Sequence, residues 1–322
     1  MFLYRNRWRS SCSRIRRFEG AGRPILLLAM GVCLLSAVGC GTVTPLTTVP
    51  TNVVLPVGGV EVPVAIVTNQ IYMDVMINGT GPHRFALDTG SALSLISPTV
   101  ADQFPANQLN SFTTLLGPFG PTSRFQLFRV DSLGIGNMEF QNFSAAIQDV
   151  SASFPAAPFT VAGMLGVGVF RNVLLTLNYP GGTIKVESGA LPAADNCTIL
   201  PITGGDLTST GVFELPQVPV TLQGQTVLAP VDSGNNTFLI LPDSFANLPF
   251  LAAPIQVPTL TENGTGFFLQ GVLNGTVALG CAQVNPPTLL VGGSLASLGA
   301  AALRPFVVTI DQASKGVRFA AP

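Results

Sequence analysis

The sequence predicts an all-β protein built from two homologous lobes related by a pseudo-twofold axis. Three observations predict it. The 322-residue chain is only 10% charged yet carries 34 glycines and 26 prolines. That composition suits many turns and argues against long solvent-facing helices, which draw on Glu, Lys and Arg. Apolar residues fall in short runs bounded by turn signals such as Asn78-Gly79. The chain also repeats itself. Residues 164–178 align without a gap on residues 297–311, and upstream of each block stands an aspartate with apolar flanks, Asp88 and Asp232.

The elements follow in order. Residues 1–39 read as a signal peptide, with seven of the 15 basic residues ahead of Cys40 and Glu19 the only acid among them. Its apolar core, residues 25–38, is shorter than a membrane span needs. Residues 40–58, rich in Thr, Pro and Val, read as a tether. The first lobe is expected over residues 59–190. Residues 71–77, the turn Asn78-Gly79-Thr80-Gly81-Pro82 and residues 84–87 make a hairpin whose second strand ends on Asp88. Gly117-Pro118-Phe119-Gly120-Pro121 is a second hairpin tip. Gly117 and Gly120 would let it move, and Phe119 would shield a cleft from water, so it is a candidate flap. Residues 173–177, apolar or β-branched throughout, suit a strand buried on both faces, and residues 183–186 give one more strand.

Residues 189–196 break the pattern, and the second lobe is expected over residues 191–322. Val218, Val220 and Leu222 alternate along one strand, Gln223-Gly224-Gln225 turns, and residues 226–231 lead into Asp232. Glu262-Asn263-Gly264-Thr265-Gly266 reads as the tip of an ordinary surface hairpin. Residues 306–310 and 316–319 close the repeat.

Charge and residue counts narrow the function. Beyond residue 39 the chain has eight basic and 15 acidic residues and no Lys/Arg cluster, which speaks against nucleic acid as a partner. One histidine, His83, excludes a His-rich metal site and leaves a Ser or Cys nucleophile without a plausible base. No metal or cofactor is expected. Cys12 and Cys33 fall in the signal segment. For Cys197 and Cys281 both a disulfide and two separate thiols remain open.

Asp88-Thr89-Gly90-Ser91, with Phe85-Ala86-Leu87 before it and Leu93, Leu95 and Ile96 after it, resembles the active-site loop of aspartic peptidases. Leu228-Ala229-Pro230-Val231-Asp232-Ser233-Gly234-Asn235 is similar to it. The later block, Met164-Leu165-Gly166 followed by Phe170-Arg171 and a β run, resembles the bacterial retropepsin-like branch. Two such units resemble the bilobal, pepsin-like arrangement. The resemblance implies that Asp88 and Asp232 are the catalytic carboxyls and that the Thr89 and Ser233 hydroxyls cross-link their loops. Gly90 and Gly234 admit close backbone approach, and Ser91 and Asn235 complete the loops. Asn235 stands where the family has Ser, Thr or Ala, and its amide can still donate to the aspartate. Pro230 stands where a strand donor is expected. Arg171 and Arg304, at matching places, are given a structural role.

Two carboxyls brought together cannot both ionise cheaply, so they share a proton and activate water without a covalent intermediate. The resemblance implies an extended polypeptide substrate, no cofactor and a monomeric enzyme. Leu35-Ser36-Ala37-Val38-Gly39-Cys40 resembles a bacterial lipoprotein cleavage site, which implies a lipidated Cys40 and a membrane-tethered protein of the cell envelope. A plain secretory signal cut near the same place would leave it secreted. Two other functions compete: an impaired lobe pair that binds peptide without cutting it, and a homodimeric enzyme using Asp88 from two chains, against which the duplication argues.

Overall fold

The computed structural model describes residues 47–117, 120–205, 214–261, 264–284 and 287–322, with the backbone alone for 114–117, 120–123, 259–261 and 264–266. The signal segment, Cys40 and Phe119 lie outside the described residues. The protein is all-β; the described residues hold two short α-helices, Pro98–Ala101 and Ala300–Leu303. Their strands form two nine-stranded sheets and one six-stranded sheet.

Each nine-stranded sheet contains one of the two strands that end on the aspartates singled out above, Asp88 in the first and Asp232 in the second. In the first, strand Gln70–Ile77 turns through Asn78 and Gly79, both at positive φ, and returns as Thr80–Asp88. Asn-Gly is the pair that adopts this turn at least cost. Asn78 Oδ1 then accepts the N–H groups of Asp131 and Ser132 at 2.9 and 3.0 Å, tying the turn to the next hairpin. Strand Gly163–Gly166 lies parallel to the aspartate strand, with Gly166 opposite Asp88, and antiparallel to Leu95–Ile96 on its other side. Gly166 must be glycine: a Cβ there would stand 2.8 Å from the carbonyl oxygens of Ser91 and Leu93.

The second sheet builds the same arrangement. Gln217–Leu222 pairs with Gln225–Asp232, and Ser297–Gly299 runs parallel to the end of that strand, with Gly299 opposite Asp232. Leu239–Leu241 flanks it as Leu95–Ile96 does in the first sheet. One difference follows from Pro230. The parallel register spans four residue pairs beside Asp88 but two beside Asp232, beginning at Val231. Proline has no N–H to give a ladder, and the pairing starts just past it.

The six-stranded sheet draws three strands from each half, in the order Ile199–Pro201, Gly316–Ala320, Val307–Asp311, Leu174–Asn178, Thr183–Glu187, Val60–Pro63. The halves meet where Leu174–Asn178 pairs antiparallel with Val307–Asp311. Thr176 faces Thr309, the residue the duplication sets over it, and their buried hydroxyls are 3.0 Å apart. One apolar cluster runs through both halves. It holds Phe85, Phe140 and Phe170 from the first, Val231, Leu298 and Ile310 from the second, and joins at Leu175 and Val308.

Residues 47–54 of the expected tether are packed into the fold. Val49 is buried, the Ser144 N–H donates to Thr47 O at 2.9 Å, and Asn52–Val54 pairs with Glu139–Gln141 as a sheet strand. A Thr/Pro/Val composition reads as linker, yet those apolar side chains find a partner surface that composition does not reveal. The cysteines left open are bonded: Cys197 and Cys281 form a disulfide with Cα atoms 4.6 Å apart. Among the described residues no helix is long and apolar enough to cross a membrane.

Candidate active site

Both aspartates end a strand and begin a tight loop. Asp88 Oδ1 accepts the Gly90 N–H at 2.9 Å, and Asp232 Oδ1 accepts the N–H groups of Gly234 at 3.1 Å and Asn235 at 3.0 Å. Each loop therefore grips its own carboxyl from the backbone.

The loops also hold each other. Ser233 Oγ donates to Leu87 O at 2.7 Å and accepts the Thr89 N–H at 3.1 Å. Thr89 Oγ1 donates to Val231 O at 2.5 Å and accepts the Ser233 N–H at 3.0 Å. Both side chains are fully buried. Two hydroxyls thus satisfy two carbonyls and two amides of the opposite loop, and unsatisfied groups at such depth are costly.

The glycines set how close the carboxyls come. A Cβ on Gly90 would overlap the Asp232 carboxyl carbon and both its oxygens, and a Cβ on Gly234 would overlap the Asp88 carboxyl in the same way. Each loop lies flat against the other loop's acid. Burial pushes Asp232 above the usual carboxylate range, while donation from Ser297, Asn235, Asp88 and Gly234 pulls it back. Below them Tyr179 is buried, its hydroxyl without a hydrogen-bond partner in the described structure. Its phenol is raised far above its ordinary value, first by burial and then by the negative field of Asp232 and Asp88.

Above the pair opens a cleft of about 930 Å³. Asp88 and Asp232 sit at its base, among mostly apolar side chains such as Phe154, Phe238 and Leu290, and no other Asp, Glu, Lys, Arg or His lines it among the described residues. Of the candidate flap, Gly117 ends one strand and faces Gly120, which begins the next. The second hairpin is more than a surface feature. Val257, Pro258 and Gln270 on its stem line the cleft, while Glu262 and Asn263 of its tip lie outside the described residues.

Residues 73–169 match the aspartyl protease family model. The match supports an aspartic protease family and embraces Asp88, its loop and the parallel strand Gly163–Gly166. No curated protein matches the chain. Thr89, Gly90, Ser233 and Gly234 stand around the two carboxyls. Ser91 instead turns its hydroxyl to Leu93 O at 2.9 Å.

Asn235 requires a correction. Its side chain does not donate to Asp232. The amide nitrogen donates to Ser297 Oγ at 2.8 Å, and Ser297 Oγ donates to Asp232 Oδ2 at 2.6 Å. Ser297 was missed from sequence, although the gapless alignment set it over Met164 and a hydroxyl within an apolar block was the available signal. Gln70 was missed as well. Its Nε2 donates to Gly234 O at 2.6 Å while Tyr72 Oη donates to its Oε1 at 3.1 Å, so one half steadies the other half's loop. Arg304 does similar work, donating to Asn69 Oδ1 at 3.2 Å across the halves. His83 contacts Thr80 Oγ1 at 3.2 Å in its own hairpin and takes no part in the cleft. Among the described residues no cluster of three or more His, Cys, Asp or Glu could hold a metal ion.

Proposed function

We propose that this protein is an aspartic endopeptidase in which Asp88 and Asp232 together activate water against an extended polypeptide. One observation carries the reading: two carboxyls from duplicated loops meet at the base of a largely apolar cleft, each pressed against the other loop's glycine. The halves are related by a local twofold axis between Thr176 and Thr309, a reading supported by a strand register that pairs residues equivalent under the duplication. One carboxyl takes a proton from water as its oxygen attacks the scissile carbonyl carbon. The other gives its proton to the carbonyl oxygen, and the resulting diol collapses with a proton passed to the departing amine. An extended segment suits the cleft, since main-chain hydrogen bonds hold it and apolar walls receive its side chains.

The protein works as an exported monomer, held in the cell envelope through a lipid on Cys40. The Cys197–Cys281 disulfide supports an oxidising compartment.

The test is Asp88→Asn and Asp232→Asn, each assayed against a mixed peptide library from pH 3 to 7. Each should lose at least about a thousandfold in kcat/KM, since one carboxyl alone lacks either the base or the acid. Undiminished cleavage by either variant defeats the shared-proton mechanism. A second reading, peptide binding without cleavage, draws on Pro230 and the shortened pairing beside Asp232. Tight capture of an uncleaved peptide by the wild-type protein across that pH range would favour it.

A further inference from the structure

The strand register of the second nine-stranded sheet lays one row of side chains along a wall of the cleft. Ser297 lies opposite Ile240, Ile240 opposite Leu290, Leu290 opposite Gln270, and Gln270 opposite Ile255. Residues paired in this way share a face of the sheet. The row starts at the cleft floor, where Ser297 Oγ donates to Asp232 Oδ2 at 2.6 Å, and runs out to the exposed Ile255. Ser297, Ile240, Leu290 and Gln270 all line the cleft. Beyond Ser297 the row is apolar until Gln270, whose half-buried carboxamide stands between Leu290 and Ile255. That carboxamide makes no hydrogen bond to any described residue. The amides at the floor are already spent. Gln70 donates to Gly234 O and accepts from Tyr72 Oη, and Asn235 accepts from Thr237 and donates to Ser297. Gln270 keeps its two donors and its acceptor for something that enters the cleft. Thr288, which pairs with Val272 two residues along from Gln270, adds a hydroxyl on the same face and also lines the cleft.

We propose that Gln270, with Thr288 beside it, is the specificity-determining end of the cleft and selects an uncharged hydrogen-bonding side chain, an amide or a hydroxyl, on the substrate. The proposal rests on the hydrolytic reading above for the bond that is cut; the recognition itself needs only the cleft. Three strand spacings separate Ser297 from Gln270, about 14 Å at the usual interval. An extended peptide covers that distance in about four residues. The selected residue therefore lies about four from the scissile bond, on one side of it. A peptide laid over Gln270 strips water from the carboxamide. An apolar side chain there would leave donors and acceptor unpaired between Leu290 and Ile255, whereas an amide or a hydroxyl satisfies them. A charged side chain fares no better. Apart from Asp88 and Asp232, no Asp, Glu, Lys, Arg or His lines the cleft among the described residues to balance it. Apolar walls discriminate weakly among apolar side chains, and a group that must be hydrogen bonded rejects a partner without one more strongly.

The test presents a mixed peptide library to the wild-type protein and reads the cleaved sequences by mass spectrometry. Asn, Gln, Ser or Thr should be enriched about four residues from the cut, on one side only. Two synthetic peptides that differ only there, one with Gln and one with Leu, should differ about tenfold in kcat/KM in favour of Gln. Gln270→Leu should invert that ratio, and the isosteric Gln270→Glu should draw Lys and Arg to the same position. Cleavage with no preference there, or a ratio that Gln270→Leu leaves unmoved, overturns the proposal and leaves the hydrolytic reading intact. Should Gln270→Leu fail to fold, Gln270→Glu and the wild-type library decide in its place. A wild-type protein that cleaves no peptide sinks the hydrolytic reading. The peptides it retains should then still be enriched in the same side chains, and retention of none, or of peptides without that enrichment, overturns the proposal as well.

Discussion

Ser233→Ala removes one oxygen and strands two backbone groups. The Leu87 carbonyl loses a donor at 2.7 Å and the Thr89 amide loses an acceptor at 3.1 Å. Both sit at a fully buried junction. An unsatisfied buried polar group costs about 1–3 kcal/mol, so the pair costs about 4 kcal/mol, a large part of a typical folding stability of about 5–15 kcal/mol. No sizeable cavity adds to this, because serine and alanine differ by one atom. Thr89→Val, nearly isosteric, strands Val231 O and the Ser233 N–H in the same manner. The reciprocal geometry therefore predicts equal losses for the two variants, within about 1 kcal/mol. Urea titration followed by far-UV circular dichroism measures both, with the midpoint falling and the slope unchanged. A loss below about 1 kcal/mol for either variant, or a clear inequality between them, would refute the reasoning that the hydroxyls fasten the loops.

Two further outcomes follow from the same site and its surroundings. Gly90→Ala should reduce kcat/KM by at least about a hundredfold, because its Cβ would displace the Asp232 carboxyl. Kinetics on the purified variant checks this, and near-normal turnover would show that the loops have slack. Asp195 is held down to about 2 by hydrogen bonds from the Ile199 and Cys197 N–H groups, with Thr198 also donating through its hydroxyl and its N–H. Its folded value lies below its unfolded one, so its stabilisation is present above roughly pH 4 and is lost as pH falls toward 2. The difference in Tm between wild type and Asp195→Ala should thus be full at pH 6 and shrink between pH 4 and 2. A difference that stays constant over that interval would count against it.

Much of the site was legible in the sequence because its determinants are local. An alternating strand, a turn and an aspartate followed by a hydroxyl residue and a glycine specify strand Thr80–Asp88 and strand Gln225–Asp232 without reference to distant contacts. The long apolar runs likewise announced the strands that join the halves. What escaped depends on partners far away in the chain. Ser297 acquires meaning only when strand Ser297–Gly299 slides in beside Asp232. Asn235 was expected to reach its aspartate directly, but Thr237 claims its oxygen and turns the amide away. Residues 52–54 looked like linker because composition cannot see the edge at Glu139–Gln141 that receives them. The stem of the second hairpin looked like surface because nothing local says that Val257 and Gln270 overhang a cleft.

In the seam between the halves one strand meets a near copy of itself. The register that sets Leu174 against Asp311 and Leu177 against Val308 turns about Thr176 and Thr309. Replace the later strand by the residues that align with it, and Leu174 would meet Asn178, Leu175 would meet Leu177, and Thr176 would meet Thr176. Strand Leu174–Asn178 is thus complementary to itself. A first half taken alone would therefore present, at this edge, a strand that fits a second copy of itself residue for residue.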